Sequence, residues 1–327
     1  GEAEGCAVAM LVKDKTVVML LKGKLSEDRQ PRVVMGDQVL RAVSQVKYLG
    51  VTWSRRMFIM AHVEEVTRRA YGKMMAVMRM IRASSVGYEV IRRIYEGMYV
   101  AIITYAAGAW ADKLDVKGKG KLLSEQRRVL LSMIKGYRTL FGDACVVIAG
   151  VIPMDLEVER RRVLSVIKRD GQIEWNGKVI GSIGSKRAVR EEIVAMWQNR
   201  WNCTAKGRWT YGWWSDISQR LGSSWFEPGY YVTQLVGGHG NFRAKLYSLG
   251  LSETEECGCG YEVESVEHVL FECRLWDDMR KDFVVALRDK GLDFDRAGML
   301  SEKGFCGFEI FARRLLESKE RWEFERD

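Results

Sequence analysis

Proline and histidine are the scarcest residues in this 327-residue chain, three of each. So little proline excludes a proline-rich linker or a collagen-like protein, and 47% hydrophobic residues exclude a disordered one. The sequence has no Gly-x-Ser-x-Gly segment and no glycine-rich loop leading into Lys-Ser or Lys-Thr. With histidine so rare, no assembled acid, base or nucleophile is legible, and no catalytic residue is assigned. The adjacent pair Asp277-Asp278 follows Trp276 where a helix begins, a position at which carboxylates complement the helix dipole. No uncharged apolar run reaches the roughly 20 residues that a membrane span needs, so no membrane partner is expected. Seven cysteines is an odd number, and Cys6, Cys145, Cys203 and Cys306 lie far apart, which argues against a secreted disulfide framework. Their apolar neighbours suggest small core residues. Gly1-Glu2-Ala3-Glu4-Gly5 has neither an initiator Met nor a basic-then-apolar signal region, and reads as an internal start within a longer protein.

The length suits two domains or one large multi-lobed unit, since a chain of about 300 residues hides roughly 75% of its unfolded surface. Its charge is unevenly spread. The net is +9, but residues 251–327 carry twelve Lys and Arg against twenty Asp and Glu, a net of −8 that leaves +17 for residues 1–250. A body that basic attracts polyanions and gains affinity by releasing counterions from phosphates. A solvated basic surface with no partner is the plainer alternative.

Along the chain, Thr16–Leu21, Arg32–Val34 and Gln38–Leu40 read as strands, with Gly23, Gly36 and Gly50 between or after them. From about residue 57 the period becomes helical. Val63, Val66, Ala70, Met74, Val77, Met78 and Ile81 form one apolar stripe, with Arg68, Arg69, Lys73, Arg79 and Arg82 mostly off it. Further helices are expected at 89–106, 121–134, 155–169, 187–201, 213–221 and 307–322. Gly171–Gly184 and Gly237–Gly240 are the candidate boundaries.

The most specific chemical pattern is Cys257-x-Cys259-x8-His268-x4-Cys273. Three cysteines and a histidine match the donor set of a closed tetrahedral structural zinc site, with no open position for an activated water. Gly258 and Gly260 allow a tight turn around the first two sulfurs, and 265–273 reads as a short helix presenting His268 and Cys273 about one turn apart. The first spacer is shorter than the usual two to four residues, so a metal-free loop remains the other reading. His62 and His239 are isolated and suit core or solvent positions.

Several segments, in order, together resemble the C-terminal half of the polymerase of non-LTR retrotransposons, in particular the type-1 elements that insert into arthropod ribosomal RNA genes. They are Lys15–Met19, Val46–Val51, His62, Tyr105–Trp110, Gln126–Arg128, Gly136–Thr139, Gly150–Met154, Gly237–Phe242, and the Cys257–Cys273 cluster with Trp276 and Arg280. The resemblance implies a mainly α fold with a small β part, made of the end of a reverse-transcriptase palm, a helical thumb, a helical linker and a small CCHC zinc-knuckle-like module. It divides the chain into a palm end with a primer-grip hairpin (1–53), thumb (54–150), linker (151–240), zinc module (241–280) and acidic helical tail (281–327).

By the same resemblance, Lys15 lies near the incoming nucleotide. Tyr48, Leu49 and Gly50 grip the primer end, although Tyr48 and Leu49 equally suit ordinary strand core. Arg68, Arg69, Lys73, Arg79, Arg127 and Arg128 follow the template-primer backbone. The family's Tyr-Ala-Asp-Asp segment, which binds Mg2+, precedes the position of Lys15 and so falls before Gly1, as does the endonuclease domain. The implied role is to hold an RNA template and a DNA primer or target for target-primed reverse transcription. The other partners are the remaining domains of the same polyprotein. The intact polymerase uses Mg2+, and this chain by itself is expected to be inactive. Synthesis in the cytoplasm and action in the nucleus follow. Trp197, Trp201, Trp209, Trp213, Trp214 and Trp225, interleaved with Arg200, Lys206, Arg208 and Arg220, form either a base-stacking surface or packed core. An independent zinc-stabilised nucleic-acid-binding protein and a helical scaffold for protein partners are the competing functions.

Overall fold

The computed structural model describes residues 16–19, 32–35, 38–54, 59–81 and 86–324; Cys6, Lys15, Leu20, Leu21 and Arg82 lie outside them. The described chain is mainly helical with small sheets, as the sequence pattern implies. Near its start, strand Gln38–Val43 pairs in parallel with Val18–Met19 and antiparallel with Arg32–Met35. A hairpin follows, Gln45–Tyr48 against Val51–Ser54. Its two turn residues, Leu49 and Gly50, have φ of 47° and 82°. Positive φ at both positions gives the turn a twist that matches the strands, at about 1 kcal/mol of strain for the leucine. Gly50 is further constrained because an added Cβ would sit 2.9 Å from the Tyr105 ring.

This hairpin docks on the Met60–Ile81 helix through polar contacts that run from buried to exposed. The Thr52 amide donates to His62 Nδ1 at 3.3 Å, and the side chains of Thr52 and Lys47 both reach Glu65. His62 presents its ring edge-on to Trp110, centroids 5.1 Å apart, and the Trp110 indole donates to the Tyr105 carbonyl. The expected apolar stripe is buried at Val63, Val66, Ala70, Met74 and Met78, against Leu122, Val129, Leu130 and Met133 of the Val116–Met133 helix.

At the centre lies Gly142–Ala149, a helix apolar on every side and buried from Ala144 onward. It ends at Gly150, whose φ is 64°. Its last carbonyls are met by side chains from elsewhere in the fold. Arg220 donates Nε and Nη2 to the Ile148 oxygen at 3.2 and 2.8 Å, and the Tyr88 hydroxyl donates to the Ala149 oxygen at 2.7 Å. Arg220 is buried with no carboxylate partner among the described residues. The negative end of the helix and the Phe226 ring, 4.6 Å away, take that place. Burial pulls its pKa down to about 10, so it stays charged at neutral pH. The next segment, Gly150–Met154, is clamped by Gln126, whose Oε1 accepts from the Met154 amide at 2.8 Å. Its Nε2 donates to the Ile152 oxygen and the Tyr95 hydroxyl, both at 2.9 Å.

Beyond it, Met154–Asp170 packs on Ser185–Cys203, and an Asn176-Gly177 turn closes the hairpin between them. The last helix, Glu302–Phe324, packs against Asp277–Arg288 and Tyr230–Gly237. Apolar packing runs through all these helices. Trp197, Trp201, Trp213 and Trp214 are core, and the indoles of Trp201, Trp209 and Trp225 donate to backbone carbonyls. Four of the six tryptophans are thus packed core, since burying a large ring is strongly stabilising, while Trp209 and Trp225 are half-buried. Among the isolated cysteines Cys145 is buried as expected, whereas Cys203 and Cys306 are exposed because their helices turn them away from the packed side.

Two measurements probe this architecture. Gln126→Ala strands buried partners and should lower the unfolding free energy by about 2–3 kcal/mol in a urea titration. Burial also lowers the pKa of His62 and His239 from 6.5 to about 4. The unfolded chain therefore binds more protons than the folded one in that interval. Stability should be complete above about pH 6.5 and fall as the pH drops toward 4, and His62→Gln with His239→Gln should flatten that limb.

Candidate metal centre

The centre is built from two short backbone devices. In the first, the Gly260 amide donates to the Cys257 oxygen at 2.8 Å and the Cys257 amide to the Tyr261 oxygen at 2.9 Å, folding the chain back over two sulfurs. Gly260 has φ of 88°, and an added Cβ on Gly258 would overlap the Trp322 ring of the last helix. The glycines thus serve different needs, one a backbone angle and the other room for an indole. Arg274 donates to the Cys259 oxygen through Nε and Nη2 at 3.1 and 2.7 Å.

The second device differs from the short regular helix the sequence suggests. His268–Glu272 is a π turn, closed by the Cys273 amide donating to the His268 oxygen at 2.7 Å. At about 100° per residue an α-helix would place residues five apart on well-separated faces; the wider turn brings His268 and Cys273 to the same side. Ser265 Oγ accepts the His268 amide, and buried Arg280 donates to the Leu270 and Cys273 oxygens.

All four donor atoms lie within 4.8 Å of one another. Cys257 Sγ is 3.6 Å from Cys273 Sγ, and Cys259 Sγ is 3.3 Å from His268 Nε2. Bonds of about 2.3 Å to sulfur and 2.0–2.1 Å to nitrogen give a tetrahedron with edges of roughly 3.5–3.8 Å, so the cluster has nearly the size for one ion. Cys257, His268 and Cys273 are buried and Cys259 half-buried. His268 turns Nε2 inward and stacks on Tyr261, centroids 4.3 Å apart. Its buried Nδ1 has no hydrogen bond and lies 3.5 Å from the Glu272 carboxylate, the kind of group that orients a metal-bound imidazole. Burial pushes the Cys257 and Cys273 thiols up. At Cys259 burial is outweighed by hydrogen bonds, the Tyr261 amide foremost, and the thiol falls below its ordinary value. Three thiolates together would need a cation. The donor set fits one, with four ligands of the kinds that close a tetrahedral site.

The module is anchored to the last helix by Lys319, 2% exposed, which pairs with Glu264 at 2.8 Å and with Glu323. Glu264 also accepts the Arg243 amide, and Asn241 donates to Glu323.

The other sequence-derived residues lie elsewhere. Tyr48 and Leu49 stand at the hairpin tip, 65% and 74% exposed, which removes the strand-core alternative. Arg68, Lys73 and Arg79 are exposed, with no carboxylate partner among the described residues, and Arg69 is half-buried. Arg127 donates to the Leu140 and Arg138 oxygens, and Arg128 lies 4.2 Å over the Tyr71 ring while pairing with Glu125. Both line a cleft of about 850 Å³ with Lys135 and Arg138. Lys135 escaped the sequence reading because it follows a helix end and shares no periodic stripe, and Arg138 entered it only within the Gly136–Thr139 segment, not as a contact.

Comparison with known proteins decides the family. The chain is 31% identical over 293 residues to the Retrovirus-related Pol polyprotein from type-1 retrotransposable element R1 2 of Nasonia vitripennis, covering 86% of this chain and 71% of that protein. It belongs to the R1 retrotransposable element Pol polyproteins. It is also 31% identical to the R1 Pol polyprotein of Bradysia coprophila over 299 residues, and 29% identical to a putative 115 kDa protein in element R1DM of Drosophila melanogaster over 320 residues. It spans only 30% and 31% of those two proteins, against 89% and 93% of itself. No family model and no solved structure matches. Metal analysis of this R1 Pol chain should give about one divalent ion per chain, abolished by Cys273→Ser. Gly258→Val, which changes no ligand, should release the ion at a lower chelator concentration.

Proposed function

We propose that this R1 Pol chain holds template-primer and target nucleic acid for an RNA-directed DNA polymerase acting in target-primed reverse transcription, and that its Cys/His centre is a structural zinc site. The observation that carries the reading is the set of exposed cations on the Met60–Ile81 helix, with no carboxylate partner among the described residues, continued by the basic cleft at Arg127 and Arg128. Such groups neutralise phosphates and position a duplex without reading its bases. The exposed tip Tyr48-Leu49-Gly50, docked on the same helix through Glu65, suits a grip on the primer end.

In this reading residues 1–53 end the palm, with Lys15 beside the incoming nucleotide, and 54–150 form the thumb. Residues 151–240 link it to the zinc module at 241–280 and the acidic tail at 281–327. Nucleotide transfer with Mg2+ belongs to the Asp-bearing segment of the intact polymerase. This chain, inactive alone, supplies position, working in the nucleus after synthesis in the cytoplasm beside the other domains of the polyprotein. Zinc is the ion of choice because three thiolates and an imidazole suit a soft, closed tetrahedral site.

The test is a salt titration of duplex binding. Replacing Arg68, Lys73 and Arg79 with Gln should weaken RNA–DNA duplexes of any sequence alike and lower the salt slope by about 2–3. An unchanged affinity and slope would remove the role given to this helix.

A further inference from the structure

A cleft of about 880 Å³ opens between the tryptophan-rich segment and the metal module, and no residue of it has a part in duplex holding. Its walls come from three regions: Trp213 and Trp225 from the helical body, Phe271 from the π turn between two metal ligands, and Phe294 from the segment before the last helix. Trp225, Phe271 and Phe294 are half-buried, unlike the enclosed tryptophans of the core. Arg296 lies 4.5 Å from the Trp209 ring centroid and 5.7 Å from that of Trp213. At 3.4 Å it meets Glu267, the residue before His268.

These groups choose among ligands. Glu267 and Asp295 outnumber Arg296 in the lining, whose other residues are uncharged, so the interior has no surplus positive charge for a phosphate. A neutral planar ring suits it better. Aromatic faces stack on any base, and a carboxylate accepts hydrogen bonds from exocyclic amino groups or ring N–H. The volume lies within the 300–1,000 Å³ usual for small-ligand sites. We propose that this cleft takes one unpaired nucleobase from a single strand, its ring among the aromatic walls, its amino edge toward Glu267, and its phosphates outside. The proposal rests on the nucleic-acid reading above and adds a second mode of grip. The cations of the first helix hold phosphates and depend on salt; the cleft holds a base and does not.

The experiment uses the full metal-loaded chain with labelled single strands of about ten nucleotides, in RNA and in DNA, and with a blunt RNA–DNA duplex. Ala297→Trp puts an indole into the cleft from an exposed position. It should weaken single-strand binding about tenfold with an unchanged salt slope, leave duplex affinity alone, and have no effect on an abasic strand. Arg296→Gln should act in the same direction, and it decides the matter if Ala297→Trp loses metal or duplex affinity. The arm showing the larger loss identifies the strand as RNA or DNA. Single-strand affinity indifferent to both substitutions overturns the cleft proposal while duplex binding sustains the nucleic-acid reading. Absence of both single-strand and duplex binding at low salt overturns the two together.

Discussion

The carbonyls at the end of the buried Gly142–Ala149 helix have no partners within that helix and are met by donors from elsewhere in the protein. The rest of the fold is arranged around that constraint. Arg220 arrives from a short helix more than seventy residues later and Tyr88 from one more than fifty residues earlier, so satisfying two carbonyls ties three distant parts of the chain together. Arg220 carries its charge into the interior without an acid because the helix end and aromatic faces already supply negative potential. Leaving it unpaired there would cost far more than leaving a surface arginine unpaired.

The same logic recurs wherever the segments that carry the family resemblance meet. Val46–Val51 and His62 adjoin Tyr105–Trp110 through the His62–Trp110 ring contact and the close approach of Gly50 to Tyr105. Gln126 meets Gly150–Met154 by hydrogen bonds to Ile152 and Met154. Thr139 meets His239, whose Nδ1 lies 3.0 Å from the Thr139 oxygen. What looks in sequence like a string of weak motifs is in space a set of joints. Many of these residues are held by structural roles, and their presence in a sequence speaks first for the fold.

The metal module extends this scheme to the acidic end of the chain. Its Val269, Leu270 and Trp276 join the core, and the ligands, the Gly258 seat for Trp322 and the Lys319 pairs share the work of ordering the rest. The module thereby meets the last helix at a defined place, with an aromatic-lined cleft against the tryptophan-rich body. Exposed cations and the aromatic-lined cleft consequently sit on different parts of one chain.

The sequence alone determined the mainly helical class, the apolar stripe of the first long helix, the Cys/His set that could hold a metal and, by resemblance, the family, because periodicity, residue type and spacing are local properties. It left open, or for Cys203 and Cys306 misjudged, what depends on packing. Nothing local shows that Cys203 and Cys306 face outward while Cys145 faces inward, or that the tryptophans between 197 and 214 serve the core. Only the tertiary structure decided that His268 and Cys273 are joined by a π turn, that Gly258 makes room for an indole over sixty residues away, and that Lys135 and Arg138 join Arg127 and Arg128. These relations are between residues distant in the chain, and close packing with hydrogen-bond satisfaction, not local preference, sets them.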